Sequence, residues 1–156
     1  MKQWLKKRKG RGFTLVELLI VIVIIGILAG SLLMVMGSST DKANATKIVS
    51  DMRTLKAAAL MYYADNSKWP DGIDDLKDYL DREPDSSKIA SYDLVGSFTT
   101  GEGAVSADLA IEVSNIEEEG IKNRLADMAA ESGLYKSDLE NEYDAGDDAA
   151  YMIVAK

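Results

Sequence analysis

The 156-residue chain contains no cysteine and no histidine. This excludes a Ser-His-Asp triad, a thiol nucleophile and an ordinary zinc site, because those sites need an imidazole or a thiolate. Disulfide bridges are excluded as well. The sequence also lacks a GxSxG elbow and a Walker-type phosphate loop. Paired carboxylates remain available for acid-base catalysis, but a chain with 28% charged residues offers such pairs by chance. We therefore expect no enzyme, no catalytic residue, no cofactor and no named metal ligand.

The net charge of −8 is divided unevenly along the chain. Six of the 18 basic side chains lie within residues 1–12, which contain no acid, so the remainder has 12 bases against 26 acids. A basic run of this kind can bind nucleic acid. Its position before an apolar segment favours a different role, and we expect no nucleic-acid partner because the rest of the chain is a polyanion.

An uncharged run of nineteen residues extends from Leu18 to Met36 and consists mostly of leucine, isoleucine and valine. As a helix it spans about 28 Å, which is enough to cross the hydrocarbon of a bilayer. The preceding positive charge favours a cytoplasmic N-terminus. The sequence therefore predicts a segment that inserts in a membrane.

Three interpretations of this N-terminus compete: a permanent single-pass anchor, a secretory signal peptide, and a leader that is cut on the cytoplasmic side of the apolar run. An ordinary signal has an apolar core of about 7–15 residues, which is shorter than this run. Glu17 lies inside the apolar segment and costs up to about 2.5–3.5 kcal/mol at membrane depth. Neither an anchor nor a secretory signal needs such a residue.

The residues around Glu17 resemble the start of a type IV pilin or type II secretion pseudopilin, in the sequence Gly10-Arg11-Gly12-Phe13-Thr14-Leu15-Val16-Glu17. The resemblance implies cleavage between Gly12 and Phe13, N-methylation of Phe13, and pairing of Glu17 with the N-terminal ammonium of a neighbouring subunit. Gly12 leaves its backbone open to a protease. An ion pair at about 4 Å gains on the order of 4 kcal/mol at an effective dielectric of ~20, which is comparable with the insertion cost.

The resemblance also implies a function. The chain would be a structural subunit of a type IV pilus or type II secretion pseudopilus, made as a prepilin in the inner membrane and assembled into a periplasmic or extracellular filament. Its partners would be a prepilin peptidase/N-methyltransferase, copies of itself and other pilin-like subunits, the inner-membrane assembly machinery and membrane lipid. The alternative is a single-pass membrane-anchored protein with an acidic soluble binding domain.

Beyond the apolar run, apolar side chains continue at spacings of three and four, which places them on one helical face. They are Ala45, Ile48, Met52, Leu55, Ala59 and Tyr62. The sequence predicts a single helix over 13–65 that ends before Pro70, because proline disfavours helix at the residue before it. We expect Tyr62, Tyr63 and Trp69 to pack the following loop against this helix.

The last third of the chain predicts strands at 89–98, 105–114 and 151–155, with a turn at 99–103. The second of these alternates apolar and polar residues, which indicates one buried face. Asn115 with Glu118 predicts a helix N-terminus, and Gly133 predicts a helix end. The acidic stretch 138–148 favours a solvated loop over a calcium site, since no EF-hand pattern is present.

Together these patterns predict an α+β fold in which a long N-terminal helix packs on a small antiparallel sheet, as in pilins. The predicted organisation has four parts, listed in chain order: a basic leader at 1–12, a membrane-spanning or filament-core half-helix at 13–36, an amphipathic half-helix at 37–65, and a small α+β domain at 66–156.

Overall fold

The computed structural model describes residues 13–84, 89–99 and 106–155. The predicted leader, including Gly12, lies outside the described residues, as does most of the turn expected at 99–103. The chain divides into two units between Gly37 and Ser38.

The first helix, α1, extends over Leu15–Asn66, close to the predicted 13–65. Its first part is made of leucine, isoleucine and valine side chains that are largely exposed, such as Leu15 at 86% and Leu33 at 73%. By length and composition, this is the candidate membrane span within the described residues. Within the described residues, these apolar side chains are not covered by any other part of the protein.

From Ser38 onward, α1 is amphipathic as predicted. The apolar positions expected to share one face are buried, with Ile48, Met52 and Leu55 fully enclosed, except Tyr62, which is half-buried against the core. After α1, a short 3-10 helix spans Ile73–Tyr79. Leu76 on this turn joins the same buried cluster as α1.

The sheet has three antiparallel strands in the order β1-β2-β3, namely β1 at Ser91–Thr99, β2 at Ser106–Ser114 and β3 at Ala150–Ala155. In its register Leu94 lies opposite Ile111, and Ile111 lies opposite Met152. These three side chains belong to one cluster with Ile48 and Met52, so this face of the sheet and α1 form the main core.

The opposite face of the sheet is also partly buried, which the sequence prediction missed. Ala110 is fully buried although it alternates with the core residues of β2. A smaller cluster combines Ala107 and Tyr151 with Leu139, and Val95 packs against it. The prediction of a single buried face for β2 was wrong because the loop between α3 and β3 covers part of the second face.

Two short helices follow the sheet hairpin: α2 at Glu119–Asp127 and α3 at Ala129–Ser132. The predicted N-terminus at Asn115 was wrong, since Glu118 is the N-cap of α2. Asn115 instead has a positive φ of 56° and donates from its side chain to Ser91 Oγ at 3.3 Å. The predicted end at Gly133 is confirmed, because this glycine caps α3 with a φ of 68°.

Candidate functional site

The N-terminus of α1 is organised by Thr14 and Glu17. Leu18 N–H donates to Thr14 O at 3.2 Å, so Thr14 is the residue that caps the helix. Glu17 N–H donates to Thr14 Oγ1 at 3.2 Å, and Thr14 N–H donates to Glu17 Oε2 at 2.8 Å. This reciprocal pair is a capping box. It satisfies two backbone donors that would otherwise be unpaired at the helix start.

The same arrangement fixes the Glu17 carboxylate. Thr14 Oγ1–H also donates to Glu17 Oε2 at 2.8 Å, so this oxygen accepts two hydrogen bonds from one residue. Among the described residues, Oε1 has no hydrogen-bond donor. A carboxylate can accept about four hydrogen bonds. The geometry therefore leaves one oxygen free to accept from a cation, while the other is held by the first turn of the helix.

Phe13, the residue expected to start the mature chain, directly precedes this capping box and is 83% exposed. The structure thus brings Phe13 and Glu17 to the same end of α1. Gly12 lies outside the described residues, so the predicted cleavage position stays a prediction. Around these residues the helix surface is apolar and uncovered, with Val16 at 64% and Leu18 at 57% exposure.

Thr14 is part of the sequence motif, but the resemblance to pilins implies no role for it. The signal was present, because Thr followed three residues later by Glu before an apolar run is the sequence pattern of a capping box. In an apolar environment such a cap matters more than in water, since unpaired backbone donors are costly there. Thr14 is therefore part of the candidate site.

The loop after α1 packs as expected. The rings of Tyr63 and Trp69 stack with centroids 4.2 Å apart, and those of Tyr62 and Tyr79 meet edge to face at 5.8 Å. Tyr79 OH donates to Asp65 Oδ2 at 3.1 Å, which ties the 3-10 helix to the end of α1. These contacts confirm that the aromatic residues connect the loop to the helix.

The acidic loop between α3 and β3 is held by its own hydrogen bonds. Asp138 Oδ1 accepts from the backbone N–H groups of Glu140 and Asn141, and Asn141 Nδ2 donates to Asp138 Oδ2 at 2.7 Å. The Asn141 side chain and these backbone donors lower the pKa of Asp138 to about 2. Lys136 pairs with Asp147 at 3.4 Å. Within residues 13–84, 89–99 and 106–155, no group of three acidic side chains is placed to hold a metal ion.

One charged side chain of the described domain is buried, Asp51 on α1. Tyr92 OH donates to Asp51 Oδ2 at 3.2 Å. Burial, followed by the nearby Asp51 charge, raises the pKa of Tyr92 well above its usual value. A neutral tyrosine that donates to a carboxylate is a satisfied buried pair, so these two residues have a structural explanation.

Two family patterns match the chain. The prokaryotic N-terminal methylation motif matches residues 7–33, which include Phe13, Thr14 and Glu17. The pattern described as PilW, C-terminal, matches residues 39–96. The first match covers the segment from which the resemblance to pilins was predicted.

Curated relatives include type II secretion system core protein G from several bacteria. The protein of Klebsiella michiganensis is 44% identical over 66 residues, which are 42% of this chain and 46% of that protein. The protein of Aeromonas hydrophila is 39% identical over 93 residues, which are 56% of this chain and 65% of that protein. The chain thus spans about half the length of the curated relatives that it matches.

Among solved structures, the major type IV pilin PilA1 from Clostridium difficile has a similar fold, with a TM-score of 0.55 and 22% identity. The match covers 76% of this chain and 99% of that one. The predicted α+β fold, with a long N-terminal helix on an antiparallel sheet, is confirmed. The chain is therefore similar to type II secretion core protein G over about half of its length and has the fold of a type IV pilin, and its predicted resemblance to pilins and pseudopilins is confirmed.

Proposed function

We propose that the chain is a structural subunit of a type IV pilus or type II secretion pseudopilus, and not an enzyme. The observation that carries this proposal is a carboxylate held by a capping box at the start of an uncovered apolar helix. Glu17 Oε2 is occupied by Thr14, while no described donor reaches Oε1. This is an acceptor for a cation in an environment that otherwise disfavours charge.

The cation is the ammonium of a neighbouring subunit. Cleavage between Gly12 and Phe13 creates a new amine directly before the capping box, and methylation of Phe13 leaves that amine positively charged. An ammonium and a carboxylate about 4 Å apart attract each other by on the order of 4 kcal/mol at an effective dielectric of ~20. The pair offsets the cost of placing both groups among apolar helices.

The apolar first part of α1 then serves twice. Before assembly it crosses the inner membrane with the basic leader on the cytoplasmic side, in accordance with the positive-inside rule. After assembly the same leucine and isoleucine side chains are covered by the helices of neighbouring subunits. Residues 13–36 form this segment, residues 37–65 support the domain, and residues 66–156 form the outer surface of the filament.

The other partners follow from these steps. A prepilin peptidase/N-methyltransferase processes the leader, the inner-membrane assembly machinery extracts the subunit from lipid, and other pilin-like subunits share the filament. Residues 7–33 match the methylation motif, which supports this processing. Relatives named type II secretion core protein G support the secretion pseudopilus as one of the two settings.

The test is the identity of the mature N-terminus in filaments sheared from cells that express the full chain with its assembly system. We expect an intact mass that corresponds to a chain starting at Phe13 with a methylated amine. Gly12→Val should leave the precursor uncut, because a branched side chain obstructs the scissile backbone. Gly10→Val changes a glycine of the same leader and serves as the matched control that is still cut.

Two outcomes would overturn the proposal. One is normal trimming of the Gly12→Val chain. The other is a wild-type chain that keeps its leader and stays in the membrane without forming filaments, which would favour a single-pass anchored protein with an acidic binding domain.

A further inference from the structure

Basic side chains are scarce in the domain and three of them share one face of α1. From Ser38 onward the chain has 12 basic against 25 acidic side chains. Lys56 follows Arg53 by three residues, so these two cations are neighbours on the helix surface, whereas Lys42 lies on the same side three turns, or about 16 Å, before Arg53. They form a basic face in a domain with a strongly negative net charge.

Arg53 and Lys56 line a groove of about 400 Å³. The same groove is also lined by residues 152–155 at the end of β3, by Ser132 and Gly133 at the end of α3, and by Tyr135. β3 is an edge strand of the sheet, and Tyr135 bridges to Tyr151 on it. Lys56 Nζ donates to the Ile153 carbonyl at 2.7 Å and so fixes one cation at the groove wall.

The described residues that line this groove include no carboxylate. Ion pairs between described residues involve Lys77, Arg124 and Lys136, and none of them includes a cation of the basic face. Arg53 is exposed and Lys56 is half-buried. A concave surface with two such cations attracts negative charge, because its low-dielectric walls reduce screening.

The same chain carries a complementary surface in the acidic loop, residues 138–148. Asp138 and Asp147 serve the loop itself, by accepting backbone hydrogen bonds and by pairing with Lys136. Glu140 and Glu142 are exposed, and they take part in no ion pair among the described residues. Lys136 lines the same depression as Glu142 but is paired with Asp147, whereas the described lining of the basic groove includes no carboxylate.

We propose that the basic groove receives the acidic loop of a second copy of the chain. This inference rests on the proposed filament function. Subunits of a helical filament share one orientation, so their contacts are head to tail, and each copy offers its groove to one neighbour and its loop to another. Charge complementarity selects this occupant, because the loop supplies the carboxylates that the groove lacks.

Such a contact is strong enough to act within an assembled filament but too weak to dimerise free domains in solution. Exposed ion pairs contribute about 0–1 kcal/mol each, which is too little to hold two free domains together. In a filament the N-terminal helices hold the copies side by side, so the loop reaches the groove at a high effective concentration. Weak pairs then set which neighbours fit, since like charges in contact would repel.

The experiment reverses the two surfaces separately and together in the full chain, and measures the sheared filament yield relative to cleaved protein in the membrane. The groove variant is Arg53→Glu, and the loop variant is Glu140→Lys with Glu142→Lys. We expect each to lower the filament yield about fivefold, which corresponds to the loss of roughly one ion pair of about 1 kcal/mol. The combined variant should recover at least half of the wild-type yield.

Matched controls reverse exposed charges elsewhere. Lys68→Glu changes the net charge as Arg53→Glu does, and Glu117→Lys changes it in the same direction as the loop variant. Both controls should assemble like the wild type. Lys56 is left unchanged, because its hydrogen bond to Ile153 also supports the fold. Cleavage and membrane level of each variant are followed by intact mass and immunoblot, which identifies variants that do not fold.

The outcomes separate the two proposals. Wild-type filaments together with unchanged yields for both reversals would overturn the groove-loop contact and leave the filament function standing. Reduced yields without recovery in the combined variant would also overturn it, and would favour a small anion or another protein in the groove. Absence of filaments from the wild type would overturn the filament function and this contact with it.

Discussion

The capping box makes a specific prediction for Thr14→Ala. This change removes the hydroxyl that accepts from Glu17 N–H at 3.2 Å and donates to Glu17 Oε2 at 2.8 Å. One of three hydrogen bonds remains, from Thr14 N–H to the carboxylate. Loss of an N-cap side chain costs about 0.5–2 kcal/mol. The first turn then holds the carboxylate less firmly for the incoming ammonium.

We expect cleavage and methylation to persist, and the filament yield to fall by about 2- to 30-fold, which is that free energy converted at about 1.4 kcal/mol per factor of ten. Thr14→Ser keeps the hydroxyl and should assemble within about twofold of the wild type. The assay is quantitative immunoblotting of sheared filaments against cleaved membrane protein. Wild-type yield for Thr14→Ala, or an equal loss for both variants, would refute the role of the cap.

Three further predictions concern the domain. Leu55→Ala removes a fully buried side chain and should lower the free energy of unfolding by about 2–5 kcal/mol, and the melting temperature by about 10 °C or more. The control Leu60→Ala removes a side chain that is 44% exposed and should lower the melting temperature by a few degrees at most. The fragment from Ser38 onward should be soluble, folded and monomeric by ultracentrifugation and should show no salt-sensitive binding to DNA; such binding would contradict the absence of a nucleic-acid partner. Because the folded pKa of Asp138 is lowered to about 2, its contribution to stability is present above about pH 4 and is lost as the pH falls towards 2. NMR titration of the Asp138 carboxyl checks this, and Asn141→Ala should raise the measured pKa.

Much of the fold followed from local pattern. The face of α1 beyond Ser38 was predicted because its apolar residues repeat at helical spacing, and each of them packs into the core. Gly133 was predicted as a helix end because glycine adopts a positive φ without strain. β3 was predicted from a short apolar run at 151–155 and is found at Ala150–Ala155.

Other features depend on contacts between distant residues, which one sequence does not reveal. Asparagine is common both at a helix N-cap and in a left-handed backbone conformation. Asn115 adopts the left-handed conformation, in which its side chain donates to Ser91. The second buried face of the sheet depends on Leu139, which arrives from a loop with no periodic pattern. Lys56 contacts Ile153, which lies 97 residues later in the sequence. The basic groove therefore could not be predicted from the sequence.

At the candidate site, the motif was predictable and its internal geometry was not. Phe13 and Glu17 were named from the resemblance. The motif implies no role for Thr14, although Thr14 followed three residues later by Glu17 is also the sequence pattern of a helix start. The structure combines the two interpretations, since the residue that caps the helix also holds the carboxylate.

The most direct test of the account is the fate of Glu17→Ala, with Val16→Ala as the control in the same turn. We expect normal insertion and cleavage, since the leader and Gly12 are unchanged, and cleaved protein that accumulates in the inner membrane with little or none in sheared filaments. The reason is that the incoming Phe13 ammonium would be buried without a partner. Val16→Ala should assemble normally. Filaments of Glu17→Ala at wild-type yield would contradict the account.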